Sequence, residues 1–146
     1  MATLPIDKAL HSIKVAEFMK AWAPKLNLNP DEAWIIGYVH DIGQMEGIKD
    51  HGEVGYQMMK DVSPMLAHYI RIHECINPIE DDMEFLLKLA DMSVDNMGNF
   101  VGINARVKSI RMRDGDATID ILNSCVGFIR DYANEHSYTD IYSFCK

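Results

Sequence analysis

Cysteine is scarce in this chain: Cys75, Cys125 and Cys145 are three in number and far apart. An odd, widely spaced set excludes a disulfide framework and a Cys-x-x-Cys metal clip, and it suits a reducing cytoplasm. Long apolar runs are missing as well. The longest, around residues 33–39, falls far short of the roughly 20 residues that span a bilayer. The opening Met-Ala-Thr-Leu-Pro-Ile-Asp has neither the basic start nor the apolar core of a signal peptide. Positive charge is in short supply too. Against 22 Asp and Glu stand 14 Lys and Arg, scattered along the chain, for a formal net charge of −8. Nucleic-acid binding needs a basic stripe that displaces counterions from phosphates, so that class of partner is excluded. A small anionic substrate stays compatible with an acidic chain when a metal ion supplies the positive charge. No repeat, low-complexity segment or flexible linker divides residues 1–146, which read as one domain.

What is present is ordinary globular material, 48% hydrophobic and 25% charged, with ten methionines that serve as adaptable core filler. The helical period dominates. Thr3 can cap a first helix with Pro5 in its opening turn, and His11, Val15, Phe18 and Trp22 form its inner stripe up to an exit at Pro24. Asn29-Pro30-Asp31-Glu32 opens a second helix that runs to His40-Asp41, with Gly43 as its C-terminal stop. Asp50 and Glu53 have capping-box spacing for a short third helix from His51. Ser63-Pro64 starts a fourth, with Leu66, Ile70 and His73 on one face, ended by Asn77-Pro78. A fifth begins near Glu80, passes Asp91 and stops by Gly98. A sixth covers about 103–113. After a turn at Asp114-Gly115, Asp116 caps a seventh over about 116–134, with Ile119, Leu122, Val126 and Ile129 inside. No stretch alternates over strand length, so the expectation is an all-α bundle of six to seven helices with short loops.

Polar residues interrupt the apolar faces. His11 lies in line with Val15 and Phe18, His73 with Leu66 and Ile70; His40-Asp41 follows a strongly apolar run, and Asp91 ends another. Each alone reads as a hydrogen-bonded core residue. Together they ask one core to hold several imidazoles and at least two carboxylates, at several kcal/mol for each unpartnered charge. Asp41 would also face the negative end of a helix dipole. A divalent cation removes these penalties together, and a His and Asp mixture without Cys suits iron, manganese or catalytic zinc rather than structural zinc. His68 falls off the His73 face and belongs to solvent; His136 belongs to a polar C-terminal segment.

The ordered series His11, His40-Asp41, Asp91 resembles the H…HD…D signature of the HD-domain superfamily of metal-dependent phosphohydrolases. His51-Gly52-Glu53-Val54-Gly55 and Ile70-Arg71-Ile72-His73-Glu74 are similar to the two extra histidine motifs of its dinuclear members. Leu89-Ala90-Asp91-Met92 is similar to the last ligand segment, and the tail through Gly98-Asn99, Arg106 and Ile110-Arg111 resembles small bacterial members of unassigned substrate. The likeness covers roughly residues 8–113. It implies a compact helical domain with one metal held by His11, His40, Asp41 and Asp91. A second would be held by His51 and His73, with Asp41 bridging. Gly55 either leaves room at this site or marks close helix packing.

The implied activity is hydrolysis of a small phosphate ester or nucleotide by metal-activated hydroxide. The metal would be iron or manganese, with zinc, nickel, cobalt or magnesium as alternatives. Lys14, one turn after His11, is the first candidate to steady phosphoryl charge at the reacting centre beside Asp41; Arg106 and Arg111 are further substrate-binding candidates. For all three, a solvated surface charge is the competing reading. Ile72-His73 and Asn77-Pro78 depart from the His-His pair and Gly-Tyr-Pro of the cyclic-dinucleotide phosphodiesterases. Ile42-Gly43-Gln44 lacks the acidic pair of the alarmone hydrolases, whereas the symmetrical diadenosine-tetraphosphate hydrolases share the pattern of extra histidines and stay compatible, although this chain is short for them. Two other functions fit the same ligand series: a mixed-valent di-iron oxygenase and a non-catalytic ligand-sensing module.

Overall fold

The computed structural model describes residues 6–43, 51–74 and 76–146. Its elements are α1 (Ile6–Trp22), a 3₁₀ turn (Ala23–Leu26), α2 (Pro30–Val39), α3 (His51–Met59), α4 (Pro64–Ile72), α5 (Asp82–Asp91) and α6 (Ile103–Asp114). Another 3₁₀ turn (Asp116–Thr118), α7 (Ile119–Glu135) and α8 (Thr139–Phe144) follow. The fold is all-α. Among the described residues the β-type pairing is a single isolated bridge, Val94 with Phe100.

Local chemistry accounts for the helix starts. The Asn29 side chain accepts from the Asp31 and Glu32 amides at 2.9 and 3.0 Å, with Pro30 in the first helical position. Ser63 accepts from the Leu66 amide at 3.3 Å and Asp81 from the Glu84 amide at 2.8 Å. Caps of this kind contribute about 1 kcal/mol each. The expected caps and opening-turn residue Thr3, Pro5 and Asp50 lie outside the described residues.

Helix α5 is the axis of the bundle. Every residue from Met83 to Ala90 is buried, Glu84 and Lys88 included, which marks a helix surrounded on all sides. Helices α1, α2 and α7 pack on it, while α3 pairs with α4. At its N-terminal end the Tyr132 and Tyr138 hydroxyls donate to the Asp82 carboxylate at 2.6 and 2.8 Å, tying α7 and the approach to α8 to α5.

Helices α1 and α2 meet through two small residues. A Cβ on Gly37 would stand 2.8 Å from the Ala16 Cα, so the backbones approach more closely than side chains allow. This contact draws His11 and His40 together. Gly37→Val should wedge the helices apart, destabilise the protein by about 1–3 kcal/mol in urea denaturation, and weaken metal uptake. Unchanged stability would mean that the helices yield freely at this point.

Three expectations need correction. Asp116 does not cap α7: its carboxylate pairs with Arg111 at 3.1 Å, and a 3₁₀ turn intervenes before Ile119. Gly43 is not a left-handed helix stop, since its φ is not positive. A Cβ there would collide with the His51 carbonyl, so the glycine permits the segment after α2 to touch the start of α3. The C-terminal segment is not merely polar. It forms α8, which buries Ile141 and Tyr142, and Cys145 is buried just beyond it. The Cys145 and Lys146 carbonyls accept from the Ile103 and Asn104 amides at 2.6 and 3.1 Å, covering the otherwise uncapped start of α6.

Candidate metal centre

Five helices bring the six expected ligand residues together. His11 projects from the middle of α1; His40 and Asp41 follow the last turn of α2; His51 opens α3; His73 closes α4; Asp91 ends α5. Their ligand atoms fall into two groups: His11, His40, Asp41 and Asp91 form one, and Asp41, His51 and His73 the other, each able to hold a metal ion. Asp41 belongs to both and turns a different oxygen to each. Its Oδ2 lies 3.2 Å from His40 Nε2 and 3.7 Å from His11 Nε2; its Oδ1 lies 3.1 Å from His51 Nε2 and 3.3 Å from His73 Nε2. Asp91 Oδ1 completes the first group, 2.8 Å from His11 Nε2 and 3.3 Å from His40 Nε2.

The far nitrogen of each ring decides what the near one can do. His11 Nδ1 donates to the Asp95 carbonyl at 3.0 Å, His40 Nδ1 to the Gly37 carbonyl at 2.6 Å, and His73 Nδ1 to the Ile70 carbonyl. His51 Nδ1 faces a Glu74 carboxylate oxygen at 3.3 Å. Carbonyls and carboxylates only accept, so in the neutral form of all four rings the proton sits on Nδ1 and Nε2 offers its lone pair to the cluster. His51 Nε2 and His73 Nε2 stand 3.2 Å apart. Two lone pairs at that distance repel unless a proton or a cation lies between them. Nitrogen–metal bonds of about 2.0–2.1 Å place neighbouring ligand nitrogens about 3 Å apart, so the residues fit a metal ion.

Without metal, protons do part of that work. Burial opposes charging of His40, but Asp41 and Asp91 outweigh it and hold its pKa well above the ordinary value. His51 is raised in the same way, against burial, by Asp41 with help from Glu74. Burial pushes both carboxyls up, yet His40, His51 and His73 hold Asp41 well below the usual carboxylate range, and His11 and His40 do so for Asp91.

The remaining candidates have different surroundings. Lys14 is half-exposed and pairs with Glu17 at 4.0 Å. Arg111 is exposed, and the groove it lines with Asp116 contains none of the six ligand residues. Arg106 is buried rather than solvated; it donates to the Asn96 side chain at 3.4 Å, in the turn whose Asp95 carbonyl holds His11. Gly55 marks close packing: a Cβ there would stand 2.5 Å from Ile70 Cγ2, between α3 and α4. His68 is exposed as expected, and so is His136, whose ring stacks on Tyr132 at 3.8 Å.

Sequence reasoning missed Glu74, which follows His73 directly and accepts from the Gly52 amide while facing His51. Glu74→Gln should loosen His51 and lower metal affinity at its half of the cluster by about 10–100-fold. Metal titration should then separate two classes of site, and identical titrations of variant and wild type would count against this positioning role.

A helical bundle with this shared His and Asp cluster defines a candidate metal-binding enzyme domain. The chain belongs to the HD domain family, whose model matches residues 9–96, more than half of its length. HD domains form a superfamily of metal-dependent phosphohydrolases. No curated protein and no solved structure gives a match. Among the described residues no helix is long and apolar enough to cross a membrane.

Proposed function

We propose that this protein is a metal-dependent phosphohydrolase acting on a small phosphate ester through a dinuclear centre of iron or manganese. The observation that carries the reading is the division of Asp41, one oxygen toward His11, His40 and Asp91, the other toward His51 and His73. A bound divalent metal supplies a lowered water pKa and positive charge for phosphoryl oxygens. The chain's own contribution is orientation. Asp95, Gly37 and Ile70 carbonyls fix three rings and Glu74 fixes the fourth.

The test is elemental analysis of purified protein followed by turnover of p-nitrophenyl phosphate, sugar phosphates and nucleotides with each metal. Two metal ions per chain and metal-dependent phosphate release are expected. His51→Ala should lower the content from two ions to one, since the other group of four remains complete; loss of both ions or neither would reject the division. Iron with oxygen consumption and no phosphate release would favour the oxygenase alternative instead.

A further inference from the structure

A recess with a cavity volume of about 50 Å³ opens beside the cluster, lined by the ligand residues His73 and Asp91 together with Lys88, Cys125, Met92, Phe128 and Ile129. That is well below the several hundred Å³ of ordinary small-molecule sites, so only a compact ligand fits. Lys88 sits one turn before Asp91 on α5, so both side chains leave the same face. Its ammonium donates to Glu84 at 2.7 Å, and Glu84 is in turn held by the Glu80 amide at 2.9 Å. Both members of this pair are buried. Well-packed apolar side chains commonly replace buried ion pairs without loss of stability, so stability alone does not account for an ammonium in this wall. Among the described residues lining the recess, Lys88 is the one cation.

We infer that this recess receives the substrate, with Lys88 as its anion anchor and the Met92, Phe128 and Ile129 wall against a compact neutral alcohol portion. The substrate class is therefore a phosphomonoester of a short, uncharged alcohol. A polyphosphate or a nucleoside would exceed the volume of the recess. This inference rests on the proposed hydrolase for its chemistry, but its anchor can be tested without turnover. Cys125 lies in the same wall and is partly accessible, so its alkylation reports occupancy.

Manganese-loaded protein is treated with iodoacetamide with and without inorganic phosphate, and modification of the Cys125 peptide is followed by mass spectrometry. With phosphate at about ten times its Kd, alkylation should slow about tenfold. Lys88→Gln should abolish the protection. Because it leaves Glu84 buried without its cation, Glu84→Gln/Lys88→Gln is run beside it, and Glu84→Gln alone, which keeps the ammonium, should stay protected. Metal content is measured in each variant and should be unchanged. Protection that survives in the double variant, or is absent from the wild type, overturns the inference. Wild-type turnover without protection would reject the recess and leave the hydrolase; protection without turnover of any phosphate ester would reject the hydrolase alone. Short neutral phosphomonoesters should exceed nucleoside triphosphates in kcat/KM by about tenfold or more, and the reverse order would overturn the substrate class.

Discussion

Asp41→Ala should strip the protein of metal and lower its phosphatase activity by more than about 100-fold. Even residues that only orient a ligand cost 10–100-fold in affinity or activity when removed, and Asp41 contributes one oxygen to each group of ligands. The two groups lose a donor together, so neither half is left complete. Elemental analysis is the decisive measurement, because activity falls for many reasons and stoichiometry for few. His68→Ala is the matched control: that ring is exposed on α4, and its removal should leave metal content unchanged. Full metal content in the Asp41→Ala protein would mean that the centre is held by other side chains.

Chelation should destabilise the protein more strongly as pH rises. In the metal-free protein, His40 and His51 have raised pKa values and Asp41 and Asp91 depressed ones. The carboxylates contribute stability above their unfolded pKa of about 4, and lose it only as pH falls through their lower folded values. The histidines contribute fully below their unfolded pKa of about 6.5, and that contribution is lost as pH rises through the higher folded values. The metal-free cluster is therefore most favourable between about pH 4 and 6.5 and weakens on the alkaline side. Metal binding runs the other way, since protons must leave the rings before a cation can be held. At a free metal concentration of 100 times Kd the stabilisation is about 2.7 kcal/mol, which corresponds to a shift in Tm of roughly 10 °C for a domain of this size. Melting curves with metal and with chelator, taken from pH 6 to 8.5, should diverge as pH increases. Parallel or converging curves would count against protons and metal competing for the same atoms.

Most of the candidate centre was legible in the sequence. His11, His73 and Asp91 fall on apolar helical stripes, where an unexplained polar side chain is conspicuous, and the order of the residues matched a family pattern. The supporting residues were not legible, for physical reasons. Glu84 and Lys88 are four apart on a helix, the spacing of an ordinary solvated pair, and only the burial of every neighbour from Met83 to Ala90 shows that the pair is inside. Glu74 acts across the contact between the start of α3 and the end of α4, which no local spacing encodes. Gly43 follows a helix and so reads as its stop, although what requires it is the His51 carbonyl beside it. Helix α8 has six residues, too short to display a period.

Of the six ligand residues, only His11 sits well inside a helix; the others occupy first or last turns or the residues just beyond them. Terminal turns open far more often than whole bundles unfold. Exchange of the ion can therefore proceed by fraying at α3, α4 and the end of α5 while the middle of α5 stays closed. Amide hydrogen exchange would register this as fast protons around His51 and His73 beside slow ones at Leu86 and Leu87, giving a centre that is rigid when filled and reloadable without refolding.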